Sequence, residues 1–340
     1  MKRALFLGGT GTISSAITAL VANDPGWELY LLNRGNRPEA IPDGVKLIRG
    51  DVRDEAALAK SLEGMHFDCV CDFIAFVPAD VERDWRLFKG RTGQYIFISS
   101  ASAYEKPCRN YIIKESTPLS NPFWQYARDK AACEAFLFGK HKEEGFPVTV
   151  VRPTFTYSER KVPMGVRGNK GTWPVLKRML EGKPVLVHGD GTSLWTMTDS
   201  RDFARGFVPL MANSKAIGEA FHITSDETLT WDEIYRSVAR ALGVEAKLYH
   251  VSSDFLAATG SRFGLDGSLL GDKGHSVVFD LGKLRSVAPG YKPQIKFADG
   301  IKRTVDYVLT HPDCQQEEPE FDEWCDRVIA AVEAAKKACL

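Results

Sequence analysis

Residues 7–14 read Leu7-Gly8-Gly9-Thr10-Gly11-Thr12-Ile13-Ser14. An apolar run, Ala4-Leu5-Phe6-Leu7, precedes them, and a helix-like stretch, Ser15-Ala16-Ile17-Thr18-Ala19-Leu20-Val21, follows. Glycines in a turn between a buried strand and the start of a helix form a cradle for a dinucleotide pyrophosphate. Gly8 permits the tight turn, and Gly11 lets the backbone approach the phosphates. The free N–H groups and dipole of the helix favour the negative charge. The third small position of Gly8-x-x-Gly11-x-x-Ser14 is serine, still small enough for close helix–strand packing. A Gly-rich match takes its meaning from the strand before it and the helix after it, and both are present.

Outward from this turn, β-rich runs alternate with helical spacing. The expected strands are 3–8, 28–33, 46–49, 69–74, 94–99 and 147–152; the expected helices are 12–22, 54–63, 79–89 and 124–144. Such alternation implies right-handed βαβ units and an α/β fold, a doubly wound parallel sheet of the Rossmann type. Ligands sit at the carboxyl ends of such strands, which places 8–14, 33–34, 51–52, 75–76, 99–104 and 153–157 on one rim. The second half is less regular. It holds a basic, Gly/Pro-bearing stretch at 159–175, the turn His188-Gly189-Asp190-Gly191, a strand at 220–223 and a helix at 231–242. Thr230 reads as that helix's N-cap, with Glu233 completing a capping box. Segment 260–275 reads as a Gly-rich loop and 319–338 as an added surface helix. The expected division is a dinucleotide-binding domain over 1–158 with a returning segment at about 192–223. A smaller α/β substrate-binding region over 159–191 and 224–312 follows, then a C-terminal helical extension, 313–340.

The 340 residues, 44% hydrophobic and 26% charged, suffice for one large or two ordinary cores. Lys+Arg and Asp+Glu balance at 44 each, so no global field draws the chain to nucleic acid or an anionic membrane. No apolar run is long enough to span a bilayer, and the N-terminus enters a strand without a signal-peptide layout. The 7 cysteines are scattered and odd in number, which suits reduced thiols in a cytoplasmic protein. Cys69 and Cys71 would share one strand face. No histidine spacing suggests a metal site.

The second strand ends Leu32-Asn33-Arg34-Gly35. An acidic residue there would grip the ribose of NAD, whereas an arginine accommodates the 2′-phosphate of NADP. No carboxylate is present, and Arg34 can hold a phosphate bidentately, so the reading is NAD(P) with a lean to NADP. If Arg34 is a solvated loop residue instead, Asn33 alone serves NAD. Asp51-Val52, after the third strand, can place a carboxylate near the adenine, although an Asp there is also an ordinary turn residue.

Tyrosine four residues before lysine puts both on one helix face. A free phenol, with a pKa of about 10, is a poor base at neutral pH, and an adjacent ammonium favours its ionised form. A nearby hydroxyl completes a proton relay. The spacing occurs as Tyr126-x-x-x-Lys130 and as Tyr157-x-x-x-Lys161. Tyr126 opens a long helical stretch after the serines Ser99, Ser100 and Ser102, while Pro163 argues against a helix after Tyr157. The chemistry is assigned to Tyr126 and Lys130.

Together these residues resemble the extended short-chain dehydrogenase/reductase family, in an atypical, NAD-dependent epimerase/dehydratase-like form. The resemblance spans about residues 3–310. It rests on Gly8-Gly9-Thr10-Gly11-Thr12-Ile13, Gly50-Asp51-Val52, Ile98-Ser99-Ser100-Ala101-Ser102-Ala103-Tyr104 and Tyr126-Ala127-Arg128-Asp129-Lys130. It continues through Val151-Arg152-Pro153, Gly189-Asp190-Gly191, Ser200-Arg201-Asp202-Phe203-Ala204 and Phe221-His222-Ile223. It implies Ser100 as the catalytic hydroxyl, Tyr126 as acid/base, and Lys130 as the residue that holds the nicotinamide ribose and tunes Tyr126. It also implies Pro153 beside the nicotinamide and Ser102 facing substrate. Expected cofactor contacts are Gly8, Gly11, Thr12, Ile13, Asn33, Arg34, Asp51, Val52, Ala75, Ser99, Tyr126, Lys130 and Pro153. Expected substrate contacts are Ser102, Tyr157, Arg160 and Trp195. A homodimer through helices 79–89 and 124–144 is implied as well.

Three positions differ from relatives acting on nucleotide sugars. The Asp-Glu pair that 4,6-dehydratases carry after the catalytic hydroxyl is Ala101-Ser102 here, which points away from that dehydration. The Arg expected after the Gly-Asp-Gly turn is matched by Trp195, and the expected Tyr-Gly-Pro is Tyr157-Ser158-Glu159. Arg160, Lys161 and Arg167 are candidates for phosphate contacts in their place, against a simple solvated basic loop. The expected activity is NAD(P)-dependent hydride transfer at a secondary alcohol or ketone of a small molecule, a sugar or nucleotide-sugar. The alternative is a catalytically diverged nucleotide-sensing or RNA-binding protein on the same fold, like chloroplast stem-loop-binding proteins. Fold alone does not separate the two.

Overall fold

Residues 4–7 are completely buried, as a strand covered on both faces must be. In the computed structural model, which describes residues 1–35 and 41–340, they belong to β1 (Lys2–Leu7) in a 7-stranded sheet. The other strands are β2 (Trp27–Asn33), β3 (Lys46–Arg49), β4 (Cys69–Asp72), β5 (Tyr95–Ile98), β6 (Val148–Pro153) and β7 (Glu219–Ile223). Their order is β7-β6-β5-β4-β1-β2-β3, and every neighbouring pair is parallel. The order reverses between β1 and β4, so a crevice opens there at the carboxyl edge.

Side-chain alternation along β1 splits the core in two. Phe6 points to the side covered by α1 (Ser14–Ala22) and the helix Ser200–Phe207, where Ile17, Val21, Phe203 and Phe207 pack. Leu5 and Leu7 point to the side covered by α2 (Glu55–Ser61), α3 (Pro78–Phe88) and α4 (Gln125–Glu144), with Leu58, Val81, Phe88, Cys133 and Leu137. Cys69 and Cys71 share a face of β4 as free thiols, 3.6 Å apart. β4 stops at Asp72 rather than running to residue 74. The Asp72 carboxylate accepts from the backbone N–H of Ile74 at 2.7 Å and of Ala75 at 3.0 Å, which turns the chain out of the sheet. No described helix is long and apolar enough to cross a membrane.

A third cluster forms from the helices Trp173–Leu180, Trp231–Ala241, Phe297–Thr310 and Pro319–Ala338, centred on Trp231, Tyr235, Ile301 and Val305. Thr230 caps the second of these, its hydroxyl accepting from Glu233 N at 3.2 Å. The Glu233 carboxylate bonds Ser237 and Arg240 instead of closing the box.

Two expectations for this half need correction. Segment 260–275 is helical, with a short turn at Ser261–Phe263 and wide π-helical turns over Asp266–Lys273. Glycine is a poor helix former, yet Gly267 and Gly271, four residues apart, share one face of this helix. A Cβ on Gly267 would run into the Trp124 ring, and one on Gly271 would lie 2.8 Å from Trp124 Cβ. The glycines let this helix lie flat on Trp124. The helix Pro319–Ala338 is also more than a surface addition: Phe321, Trp324, Cys325 and Val328 enter the third cluster. Arg178, 1% exposed, pairs with Asp322 and Asp326 of that helix at 2.6 and 2.7 Å.

Candidate active site

Two cavities adjoin at the carboxyl edge of the sheet. The larger, about 640 Å³, is lined by the turn after β1 and the ends of β2, β3 and β4. Gly8 and Gly9 both adopt positive φ, +100° and +97°. A Cβ on Gly9 would lie 2.6 Å from Leu31 Cδ2 in the buried core. The conformational demand thus falls on Gly8 and Gly9, whereas Gly11 would leave an added Cβ in ordinary contact with Ser14 Oγ at 3.5 Å. Ser14 earns its place differently, its hydroxyl accepting from Gly11 N at 2.9 Å. Thr18 donates to the Gly9 carbonyl at 2.8 Å. This cradle, open to the cavity along 8–11 and closed behind, suits a pyrophosphate. Gly9→Ala is therefore expected to cost about 1–3 kcal/mol of stability and to weaken dinucleotide binding. Chemical denaturation and NADPH fluorescence titration measure both, and unchanged affinity would remove the turn from the binding site.

Asn33, Arg34, Asp51 and Val52 line the same cavity. Asn33 uses its side-chain oxygen to accept from Gly35 N at 2.8 Å, and Arg34 is exposed at the rim. The Asp51 carboxylate is taken by Arg53, at 2.7 Å to Nη2, and this partner holds it well below the usual carboxylate range. Ala75 and Ser99 lie behind the surface: Ala75 gives its carbonyl to Lys130, and Ser99 donates its hydroxyl to Glu134.

The smaller cavity, about 350 Å³, brings together Thr12, Ile13, Ser100, Ser102, Tyr126 and Pro153. Tyr126 and Lys130 stand one turn apart on α4. The Lys130 ammonium donates to the carbonyls of Ala75 and Ile98 at 2.6 and 2.7 Å, the exits of β4 and β5. It lies 5.8 Å from the Tyr126 ring centroid. Burial pushes Lys130 down to about 8, so it still carries its proton at neutral pH. Burial pushes the Tyr126 phenol up, and the Ser100 hydroxyl pulls partly the other way. The Ser100 hydroxyl bonds Ser102 Oγ at 2.7 Å. Behind α4, Glu134 pairs with Arg152 at 2.6 Å, and both are buried. Arg152 also donates to Tyr104 Oη at 3.1 Å, and Tyr104 bonds His222 Nδ1 at 3.1 Å. This network fixes α4 against β6 and β7.

Tyr157 and Trp195 line the smaller cavity, with Lys161 and Arg167. The Tyr157 hydroxyl is turned against Gly300, and the ring packs edge-on to Phe297, so Tyr157 and Lys161 form no helical pair. Arg160 departs from its expected substrate contact. It bonds Tyr307 Oη at 2.7 Å and pairs with Asp313, away from both cavities. Sequence reasoning also missed Asn121, Trp124, Asp272 and Lys273. Asn121 donates to the Ser102 and Gly271 carbonyls at 2.7 and 2.5 Å, tying the loop after β5 to the helix Asp266–Lys273. The helical glycine spacing was the one signal that pointed to this wall. Among the described residues no group of His, Cys, Asp and Glu side chains could hold a metal ion.

A glycine cradle at the switch point of a doubly wound sheet, with Ser, Tyr and Lys beside it, defines a dinucleotide-dependent enzyme of the extended short-chain dehydrogenase/reductase type. The chain belongs to the NAD dependent epimerase/dehydratase family, whose model matches residues 4–224. It is similar to 2′-dehydrokanamycin reductase from Streptomyces kanamyceticus, 25% identical over 291 residues, which covers 85% of this chain and 80% of that protein. A dTDP-glucose 4,6-dehydratase from Actinoplanes is 26% identical over 332 residues, 88% of this chain and 96% of that one. UDP-glucuronic acid 4-epimerase from Bacillus cereus, solved with NAD, shares the fold with a TM-score of 0.71 at 19% identity, over 90% of this chain and 96% of that one. The cofactor is of the NAD type, and the larger cavity fits it.

Proposed function

We propose that this chain performs reversible hydride transfer at a secondary alcohol or its ketone on a sugar or nucleotide-sugar, with Tyr126 as acid/base, and that it prefers NADP(H). The observation that carries the reading is that Ser100 and Tyr126 face one cavity beside the glycine turn, with the buried Lys130 ammonium 5.8 Å from the Tyr126 ring. When bound, the dinucleotide supplies or takes the hydride at the substrate carbon. Tyr126 Oη gives a proton to the substrate oxygen as a ketone becomes an alcohol, and takes it in reverse. Ser100 Oγ orients that oxygen. Lys130 would hold the nicotinamide ribose, while the Ser100 hydroxyl is the neighbour that eases ionisation of Tyr126. Ala101 and Ser102 supply no acid beside Ser100, which favours simple redox over 4,6-dehydration. The reductase and dehydratase relatives favour the enzymatic reading over the RNA-binding or nucleotide-sensing alternative, although a chloroplast stem-loop binding protein from Arabidopsis thaliana is also similar, 24% identical over 263 residues. A homodimer through α3 and α4 belongs to the same proposal.

Arg34 supports the NADP preference, because it stands at the end of β2 where a 2′-phosphate would lie. Arg34→Ala is expected to weaken NADPH binding about tenfold or more, the scale of a lost charged hydrogen bond, with NADH affinity little changed. Fluorescence titration of both nucleotides tests this, alongside mass spectrometry of nucleotide released on denaturation. Tightly retained NAD would overturn the preference, and failure to bind either nucleotide would overturn the enzymatic reading.

A further inference from the structure

The smaller cavity collects positive charge that the proton relay does not use. Lys161 and Arg167 come from the basic stretch after β6, and Lys273 from the last turn of the helix Asp266–Lys273. Lys273 is only 7% exposed. Its ammonium lies over the faces of Phe155 and Trp124, 5.7 and 5.9 Å from the ring centroids. Among the described residues it has no hydrogen-bond or ion-pair partner, and neither has Lys161, exposed at the mouth. Arg167 donates to the adjacent Gly168 carbonyl at 3.0 Å.

One carboxyl group, Asp272, shares the cavity, and burial pushes it up towards its neutral form. Glu318 faces Arg167 but accepts the backbone N–H groups of Asn169 and Lys170 at 3.1 and 2.9 Å. His188, which meets the Lys273 carbonyl at 3.0 Å, is pushed down to about 4 by burial and adds no charge at neutral pH. Like charges confined in one cleft repel, and a buried ammonium without a partner is costly. Crowding at the cavity wall and repulsion from Arg167 push Lys161 down to about 8, although its side chain also reaches solvent. Burial, against the pull of Asp272 and with repulsion from Arg167 and Lys161, pushes Lys273 down to about 8. An anion placed among them relieves both penalties at once.

We propose that the substrate carries a compact anion, a carboxylate or a phosphate monoester, gripped by Lys161, Arg167 and Lys273 while its reacting carbon lies at Ser100 and Tyr126. The inference rests on the redox reading of the site and narrows its substrate to an acidic sugar-sized molecule. The cavity volume, about 350 Å³, is near the lower end of the roughly 300–1,000 Å³ of small-ligand sites. Trp195, with an apolar ring where relatives acting on nucleotide sugars are expected to hold an Arg, offers a diphosphate no charged partner.

Calorimetric titration of the full chain saturated with NADPH tests the inference. The probes are inorganic phosphate, glucose 6-phosphate, glucuronate, glucose and UDP-glucose. The expected result is binding of an acidic monosaccharide and none of glucose, with the phosphate and carboxylate probes telling which anion is preferred. Lys273→Met, and Lys161→Met at a solvent-exposed position, should each weaken that binding about tenfold or more without changing NADPH affinity. Wild-type affinity should also fall as pH rises from about 7 to 9, because both lysines lose their protons, and the double Met variant should lose this dependence. Tighter binding of UDP-glucose than of either acidic monosaccharide overturns the inference. So does failure of both acidic monosaccharides to bind, or binding that both Met substitutions leave intact. Failure of NADPH to bind in the same cell brings down the redox reading, and this inference with it.

Discussion

Tyr126→Phe is expected to lower kcat by roughly 10²–10⁴-fold, the usual contribution of a positioned acid/base, with little change in melting temperature or NADPH affinity. The ring packs against Trp124 at a centroid distance of 5.0 Å, and phenylalanine keeps that contact. Only the hydroxyl is lost, and with it the group that moves the substrate proton. Lys130 stays in place because its two hydrogen bonds run to the carbonyls of Ala75 and Ile98, not to Tyr126. Single-turnover kinetics with bound NADPH separate this from a binding defect. Tyr157→Phe should fall far short of the same loss, since its hydroxyl faces Gly300. Full activity in Tyr126→Phe would show the role to be misassigned.

Arg152→Met is expected to destabilise the fold by about 3–5 kcal/mol, the cost of leaving one partner of a buried ion pair alone. Arg152 is 4% exposed and Glu134 1%. Arg152 bonds both Glu134 oxygens, the Tyr104 hydroxyl and the Glu115 carbonyl. Methionine fills much of the volume but leaves the Glu134 charge, among the described residues, with a single remaining donor, Ser99. Adding Glu134→Gln should recover part of the loss, because the stranded charge is then gone. Urea unfolding of the three variants reads this directly, and a single-variant cost below about 1 kcal/mol would mean that Glu134 finds water or another donor.

The sheet half was legible because its strands are buried on both faces, so Ala4, Phe6, Val70 and Ile96 announce themselves as apolar runs. The glycine turn and the Tyr126–Lys130 spacing depend on contacts within a few residues, which a linear reading captures. Where tertiary contact decides, the reading failed. Arg160 looked available for a ligand, but its partners Tyr307 and Asp313 lie far along the chain. The helix Asp266–Lys273 was missed because glycine argues against helix locally, while the Trp124 surface that rewards those glycines is remote in sequence. Gly9 was passed over for Gly11 because its crowding comes from Leu31 on the next strand. The wall carrying Asp272 and Lys273 followed the same fate, which is why the charge in the substrate cavity emerges only in three dimensions.

The hydrophobic clusters on the two sides of the sheet and the cluster beside the smaller cavity are separate, and Tyr126 lines that cavity from α4. The glycine cradle and the proton relay rest on the former; Trp195 and the helix bearing Lys273 rest against the latter. An evolving lineage can therefore exchange the residues that choose a molecule while the residues that transform it stay fixed. Diversification on this scaffold needs only a few changes on the glycine-faced helix and the basic stretch after β6, neither of which supports the sheet.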